Sequence, residues 1–117
     1  MTRTTLRLDF DPGRRLGHGK IALLEAIRLT GSISAAGRTF NMSYRRAWLL
    51  IDEVNHMFAN PIVSTRGGGK NGGGASLTPL GEDIVRLYRD AERKIQTSAA
   101  SEIAALEKAL APHLPPM

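Results

Sequence analysis

The chain has 117 residues, 42% of them hydrophobic, with 16 Lys and Arg against 11 Asp and Glu. That length holds one domain, or one domain with an extended helix. The absence of cysteine excludes disulfides, thiolate catalysis and cysteine-ligated zinc or iron–sulfur centres. No apolar run suits a membrane span or a signal peptide, so the expectation is a cytoplasmic protein with no membrane partner.

The chain opens with an alternation over Thr4 to Phe10, Leu6, Leu8 and Phe10 on one face and Arg7 and Asp9 on the other, which predicts a half-buried strand. Asp11-Pro12-Gly13 ends it as a turn. Residues 18–29 predict a helix with Ile21, Leu24 and Ile27 on its inner face, stopped by Thr30-Gly31. Two short helices joined by a tight turn follow. Ser32 and Ser43 stand where N-caps are needed. Gly37 lets one helix lie close on the next, and Asn41 tolerates the left-handed backbone of the turn. The first helix runs from about Ile33 to Thr39, with Ile33, Ala36 and Phe40 at helical spacing. The second runs from Ser43 to about Phe58 and buries Ala47, Leu50, Ile51, Val54 and Phe58. Arg45, Leu49, Asp52 and His56 point the other way.

Asn60-Pro61 ends that helix. Residues 61–66 and 75–78 predict two strands, with Gly-Gly-Gly-Lys-Asn-Gly-Gly-Gly at 67–74 between them. The run fails as a phosphate loop, because Asn71 rather than Ser or Thr follows Lys70 and because it lies between strands. Thr78-Pro79 predicts an N-cap and first helical position. The last helix is expected to reach about Leu110, with Leu80, Ile84, Leu87, Tyr88, Ala91 and Ile95 on its inner face. Ile103, Leu106 and Leu110 continue the repeat. Such a helix, about 45 Å long, outruns a small core, and a second copy is the expected cover.

The expected fold is therefore mainly α with a small β wing: a winged helix-turn-helix over residues 1–78 and a long C-terminal dimerisation helix over 79–112. Residues 1–75 carry eleven basic and five acidic side chains, residues 76–117 five and six. A basic front half suits double-stranded DNA, and a near-neutral back half suits assembly. The expected DNA-binding residues are Ser32, Ser43, Tyr44, Arg45, Arg46 and Leu49 in the two-helix unit and Arg66, Lys70 and Asn71 in the wing. Arg45 and Arg46 suit guanine edges or phosphates. Tyr44 suits a phosphate or the helix start. Leu49 suits a thymine methyl or simple exposure. Trp48 is read as packing at the edge of the core. The expected homodimer seam is Leu87, Ala91, Ile95, Ile103, Leu106 and Leu110. His18, His56 and His113 have no metal-ligand spacing, so no metal or cofactor is expected. Nothing marks a nucleophile or an acid pair, so no enzyme is expected.

Gly31-Ser-Ile-Ser, Met42-Ser-Tyr-Arg-Arg-Ala-Trp48, the glycine-rich run ending at Ala75, and Leu77-Thr-x-x-Gly81 together resemble the N-terminal DNA-binding domain of ModE-type molybdate-responsive transcription regulators, over roughly residues 16–95. The resemblance implies a LysR-like winged helix that reads DNA with helix 43–58, touches backbone with the wing and dimerises through the long helix. Full-length members of that family carry C-terminal oxyanion-binding domains, for which no strands remain here. The function expected is sequence-specific transcription regulation linked to molybdenum, without molybdate binding by this chain and with a separate effector-sensing partner. The alternatives are a winged-helix protein-interaction module and a low-specificity architectural DNA binder.

Overall fold

A computed structural model describes residues 2–67 and 74–112. Lys70 and Asn71, expected at the hairpin tip, lie outside the described residues, as does His113. The element order is β1 (Arg7–Asp11), β2 (Arg14–Gly17), α1 (His18–Thr30), α2 (Ile33–Thr39), α3 (Tyr44–Met57), β3 (Val63–Thr65), β4 (Ala75–Leu77), α4 (Pro79–Ser98) and α5 (Ala100–Ala109).

β1 and β2 form an antiparallel hairpin whose register shifts between Asp9 and Asp11. Gly13 adopts φ +90° in the two-residue turn, a conformation that favours glycine. Arg14 donates to the Asp11 carboxylate across that turn, its Nε at 2.9 Å. Phe10 sits at the irregularity, and its ring meets Phe58 edge-on with centroids 6.5 Å apart. The second strand was not expected. Its only buried residue is Leu16, so it shows no alternation to read.

α1 is the centre of the core. Ile21, Leu23, Leu24, Ala26 and Ile27 are all buried, and full burial of an Ile or Leu side chain contributes about 2 kcal/mol. Gly31 ends the helix at φ +71°, its N–H donating to the Ile27 carbonyl at 2.7 Å. That is the glycine C-cap the sequence predicts. α2, α3, β2, β4 and α4 all pack against α1. A second antiparallel pair, β3 with β4, runs in register from Val63 opposite Leu77 to Thr65 opposite Ala75. It is tied to the end of α1 where the Ala75 N–H donates to the Gly31 carbonyl at 2.9 Å.

α4 begins as predicted: the Thr78 hydroxyl accepts from the Gly81 N–H at 3.0 Å, with Pro79 in the first turn. A side chain at Gly81 would overlap the Ile62 backbone carbonyl, so helix and hairpin meet at a point only glycine fits. Val85 and Tyr88 bury the inner face of α4, and the Tyr88 hydroxyl donates to the Leu6 carbonyl.

The single long helix over 79–112 is corrected: it breaks at Ala99 (φ −100°, ψ +14°) into α4 and α5. The break follows Gln96, Thr97 and Ser98, all exposed. Hydroxyl side chains compete for local backbone bonds, and no packing there holds the helix in line. The β content is likewise two small sheets rather than one lone strand and a hairpin. Phe40, at helical spacing with Ile33 and Ala36, is exposed at the end of α2, and Leu87, expected on the inner face of its helix, is exposed on α4. Leu50 and Phe58 reach the core only in part.

α1 and α4 are also clamped by charge. Arg89 donates from Nε and Nη2 to the two Glu25 carboxylate oxygens, at 3.0 and 2.7 Å, and from Nη1 to Glu92 at 2.8 Å. Its guanidinium carbon lies 5.6 Å from the Tyr88 ring centroid. The hydrogen bonds from Arg89 hold the Glu25 carboxyl below its ordinary pKa against the opposing effect of burial. The bidentate pair therefore stabilises the fold above the unfolded-state pKa of Glu25, and its contribution is lost as pH falls through the lower folded-state value. Arg89→Met is expected to cost about 2 kcal/mol at pH 7. Denaturant titrations of this variant and the parent at pH 7 and pH 3 should show that cost shrinking in acid.

Candidate nucleic-acid interface

The unit that carries most of the expected contacts is α2, the turn and α3. Both caps form as the sequence predicts. The Ser32 hydroxyl accepts from the Ala35 N–H and the Ser43 hydroxyl from the Arg46 N–H, each at 3.1 Å. Both hydroxyls are engaged in holding the helix starts, a structural task rather than an open contact. Asn41 takes the left-handed conformation at φ +56°. The Gly37 carbonyl accepts from Phe40 at 3.0 Å and Met42 at 2.9 Å, closing the turn. A Cβ on Gly37 would stand 3.0 Å from the Ala47 Cβ, so this glycine sets how closely α2 and α3 cross.

Ala47, Ile51, Val54 and Met57 bury the inner face of α3. Tyr44, Arg45, Arg46, Trp48 and Leu49 are all exposed around its first two turns. Trp48 does not pack at the core edge as expected: it is 45% exposed. It lines an open groove of about 330 Å³ with Tyr44 and Arg45. Acidic residues enter α3 only in its third turn. There Asp52 faces His56, and Glu53 pairs with Lys20 of α1.

Ion pairing divides the arginines. Arg7, Arg14, Arg15, Arg28, Arg86, Arg89 and Arg93 each have a carboxylate partner. Among the described residues no carboxylate lies within 4.0 Å of Arg3, Arg38, Arg45, Arg46 or Arg66. Arg3 lies before β1 with its guanidinium 2.7 Å from the His18 ring, and the other four lie on α2, α3 and just past β3. The groove between α1 and α4, about 370 Å³, also holds arginines (Arg28, Arg86, Arg89 and Arg93), but Glu25, Glu82, Asp83 and Asp90 line it with them. It offers an anion no uncompensated charge. Among the described residues no cluster of three or more His, Asp or Glu suits a metal ion.

Asn55 joins the hairpin to α3, and the sequence reading missed it. Its Oδ1 accepts from the Ile62 and Val63 N–H groups at 2.8 and 2.9 Å, and its Nδ2 donates to the Val63 carbonyl at 3.2 Å. One side chain thus does the work of a third strand at the edge of β3. The available signal was a polar residue beside the apolar stripe of a helix. Asn55 lies eleven residues after Tyr44, about three full turns. The hairpin it holds therefore leaves α3 on the side where Tyr44 and Trp48 are exposed. Arg66 is exposed just past the end of β3, its guanidinium beside Gly74.

The expected seam residues Leu87, Ile95, Leu106 and Leu110 are exposed, while Ala91 and Ile103 are half-buried. An open groove of about 500 Å³ is lined by Ile95, Ala99, Ile103, Leu106 and Leu110, with Thr2 to Thr4 at its rim. Among the described residues no helix is long and apolar enough to cross a membrane.

No protein-family model matches the chain. It is similar to the molybdenum-pterin-binding protein MopB of Rhodobacter capsulatus, 43% identical over 98 residues, covering 84% of this chain and 35% of that protein. It is similar to the molybdenum transport protein ModE of Azotobacter vinelandii, 41% identical over 93 residues, 80% of this chain and 34% of that protein. The DNA-binding transcriptional dual regulator ModE of Escherichia coli K12 is 41% identical over 80 residues, 68% of this chain and 30% of that protein. The chain thus spans about a third of the length of these curated relatives.

The expected family placement and fold class are corrected accordingly. The resemblance was drawn to an N-terminal, LysR-like winged helix-turn-helix domain lacking the molybdate-binding part. The matched relatives include one named for molybdenum-pterin binding, and they match over most of the chain. The similarity is to Mop and ModE proteins as a group. It assigns the chain neither to a LysR-like winged domain nor to a fold defined by a dimerisation helix.

Asn55→Ala removes three hydrogen bonds and leaves the Ile62 and Val63 amides without partners. The expected cost is about 2–4 kcal/mol, because unsatisfied buried donors carry their full desolvation penalty. Thermal unfolding checks the loss. Amide exchange should show β3 losing protection earlier than α1.

Proposed function

We propose that this chain binds duplex DNA sequence-specifically and serves in molybdenum-linked transcription regulation, without enzymatic activity. The observation that carries the reading is the first two turns of α3. They present Tyr44, Arg45, Arg46, Trp48 and Leu49 to solvent, with no carboxylate within ion-pairing distance of either arginine among the described residues. A helix docks in the major groove with its N-terminal residues toward the base edges. Arginines free of carboxylates are suited to guanine edges and phosphates. The rigid turn at Gly37 and Asn41 supports the reading by fixing α3 against α2. Molybdenum enters from the relatives, two of which are named for it and one as a DNA-binding regulator.

The expected behaviour is duplex binding that weakens steeply with salt, since each neutralised phosphate releases a counterion. Arg45→Ala and Arg46→Ala should each cost about 1–3 kcal/mol if they reach base edges. Selection from a random duplex pool, followed by anisotropy titration at several salt concentrations, tests both. Binding left intact by the double substitution overturns the assignment to α3.

The exposed apolar side chains of α4 and α5 support a homodimer. A two-fold pair would set its α3 helices on half-sites about 34 Å apart or a multiple of that. Sedimentation at micromolar concentration should show a dimer. Leu106→Asp with Leu110→Asp, both at exposed positions, should shift it to monomer without unfolding the core, and a fully dimeric double variant refutes this seam.

A further inference from the structure

Trp48 is the feature of the proposed DNA-binding face that charge alone does not explain. It is 45% exposed, and its neighbours Tyr44 and Leu49 are 59% and 48% exposed. At 100° per residue the outward arc of α3 runs Tyr44, Trp48, Arg45, Leu49. An arginine is thus bracketed by apolar surface on both sides. Tyr44, Arg45 and Trp48 line one open groove. Large apolar side chains clustered on an otherwise charged face mark a contact surface, and the basic charge beside these ones names a polyanion.

Resting on the DNA reading, we propose that Trp48, flanked by Leu49, is a specificity residue that packs on the 5-methyl group of thymine. In the major groove that methyl is the one apolar group a base edge offers, and it distinguishes thymine from every other base. Arg45, between the two apolar side chains, binds the adjoining guanine edge or phosphate and holds the indole at that depth. Trp48 has its place because it stands one turn after Tyr44, still in the half of α3 that precedes Asp52 and Glu53. Further along, those carboxylates would meet the phosphates.

The test replaces each thymine of the best selected duplex, one at a time, with deoxyuridine, which removes only the methyl group. At one thymine per half-site the wild-type chain should lose about fourfold in affinity, the worth of one buried methyl. Trp48→Ala should bind the thymine and deoxyuridine duplexes equally. Because an exposed substitution can still disturb α3, circular dichroism of Trp48→Ala and a parallel Trp48→Gln keep the comparison sound. Wild-type binding indifferent to every deoxyuridine overturns the proposal and leaves DNA binding standing. So does a thymine preference undiminished in both Trp48 variants. Enrichment of no duplex at all overturns the DNA reading itself, and this inference with it.

Discussion

Burial of α1 is the constraint on which the rest of the structure depends. Ile21, Leu24 and Ile27 are fully shielded from solvent, and a helix thirteen residues long cannot shield them itself. α2, α3, the hairpin β3–β4 and α4 each cover part of it. Gly31 ends it sharply enough for its carbonyl to receive β4. The position of α3 follows from this arrangement. With Ala47, Ile51, Val54 and Met57 drawn to the core, the opposite face has no alternative to solvent.

That division separates two kinds of arginine. Arg89 is spent on the fold: it grips Glu25 and Glu92 and stacks near Tyr88, in a half-buried setting where a charge without partners would be costly. Arg45 and Arg46 lie on the outer side of α3, where water solvates them and no carboxylate competes. Exposed surface pairs contribute little to stability. Leaving these two unpaired therefore costs the fold little and keeps their charge available to a partner.

Much of the local structure was legible in the residues, because single side chains dictated it. Ser32, Ser43 and Thr78 are caps, Gly31 is a C-cap, Gly37 and Asn41 shape the interhelical turn, and each acts within a few residues of its own position. The apolar repeats of α1 and α3 were equally legible, since core burial enforces them. The illegible parts depend on distant partners. β2 has one inward residue and exists because β1 folds back on it. Asn55 is indistinguishable from a solvated polar residue until β3 lies alongside. Trp48 suits the edge of the core by its amphipathic ring, but α3 already fills its inner face with Ala47, Ile51, Val54 and Met57. The break at Ala99 falls in the weaker segment Gln96 to Ser101, and the return of apolar spacing at Ile103, Leu106 and Leu110 suggests a continuous helix that no packing there keeps straight. Lys70 and Asn71 lie outside the described residues, and the resemblance drawn from the motifs was narrower than the similarity the chain has to Mop and ModE proteins.

One carbonyl has a mechanical consequence. Ile62 O accepts from the Thr78 N–H at 2.9 Å and the Thr78 hydroxyl at 3.2 Å. It also abuts the bare Cα of Gly81. Hairpin and helix α4 therefore share an anchor with no compliant side chain between them, and Asn55 welds the same strand to α3. A push on the end of β3 finds no cushion to absorb it. It meets the first turn of α4 directly, in a helix that Arg89 ties to Glu25 of α1 two turns further on. That stiffness ends at Ala99, because α5 beyond it buries no residue against the core.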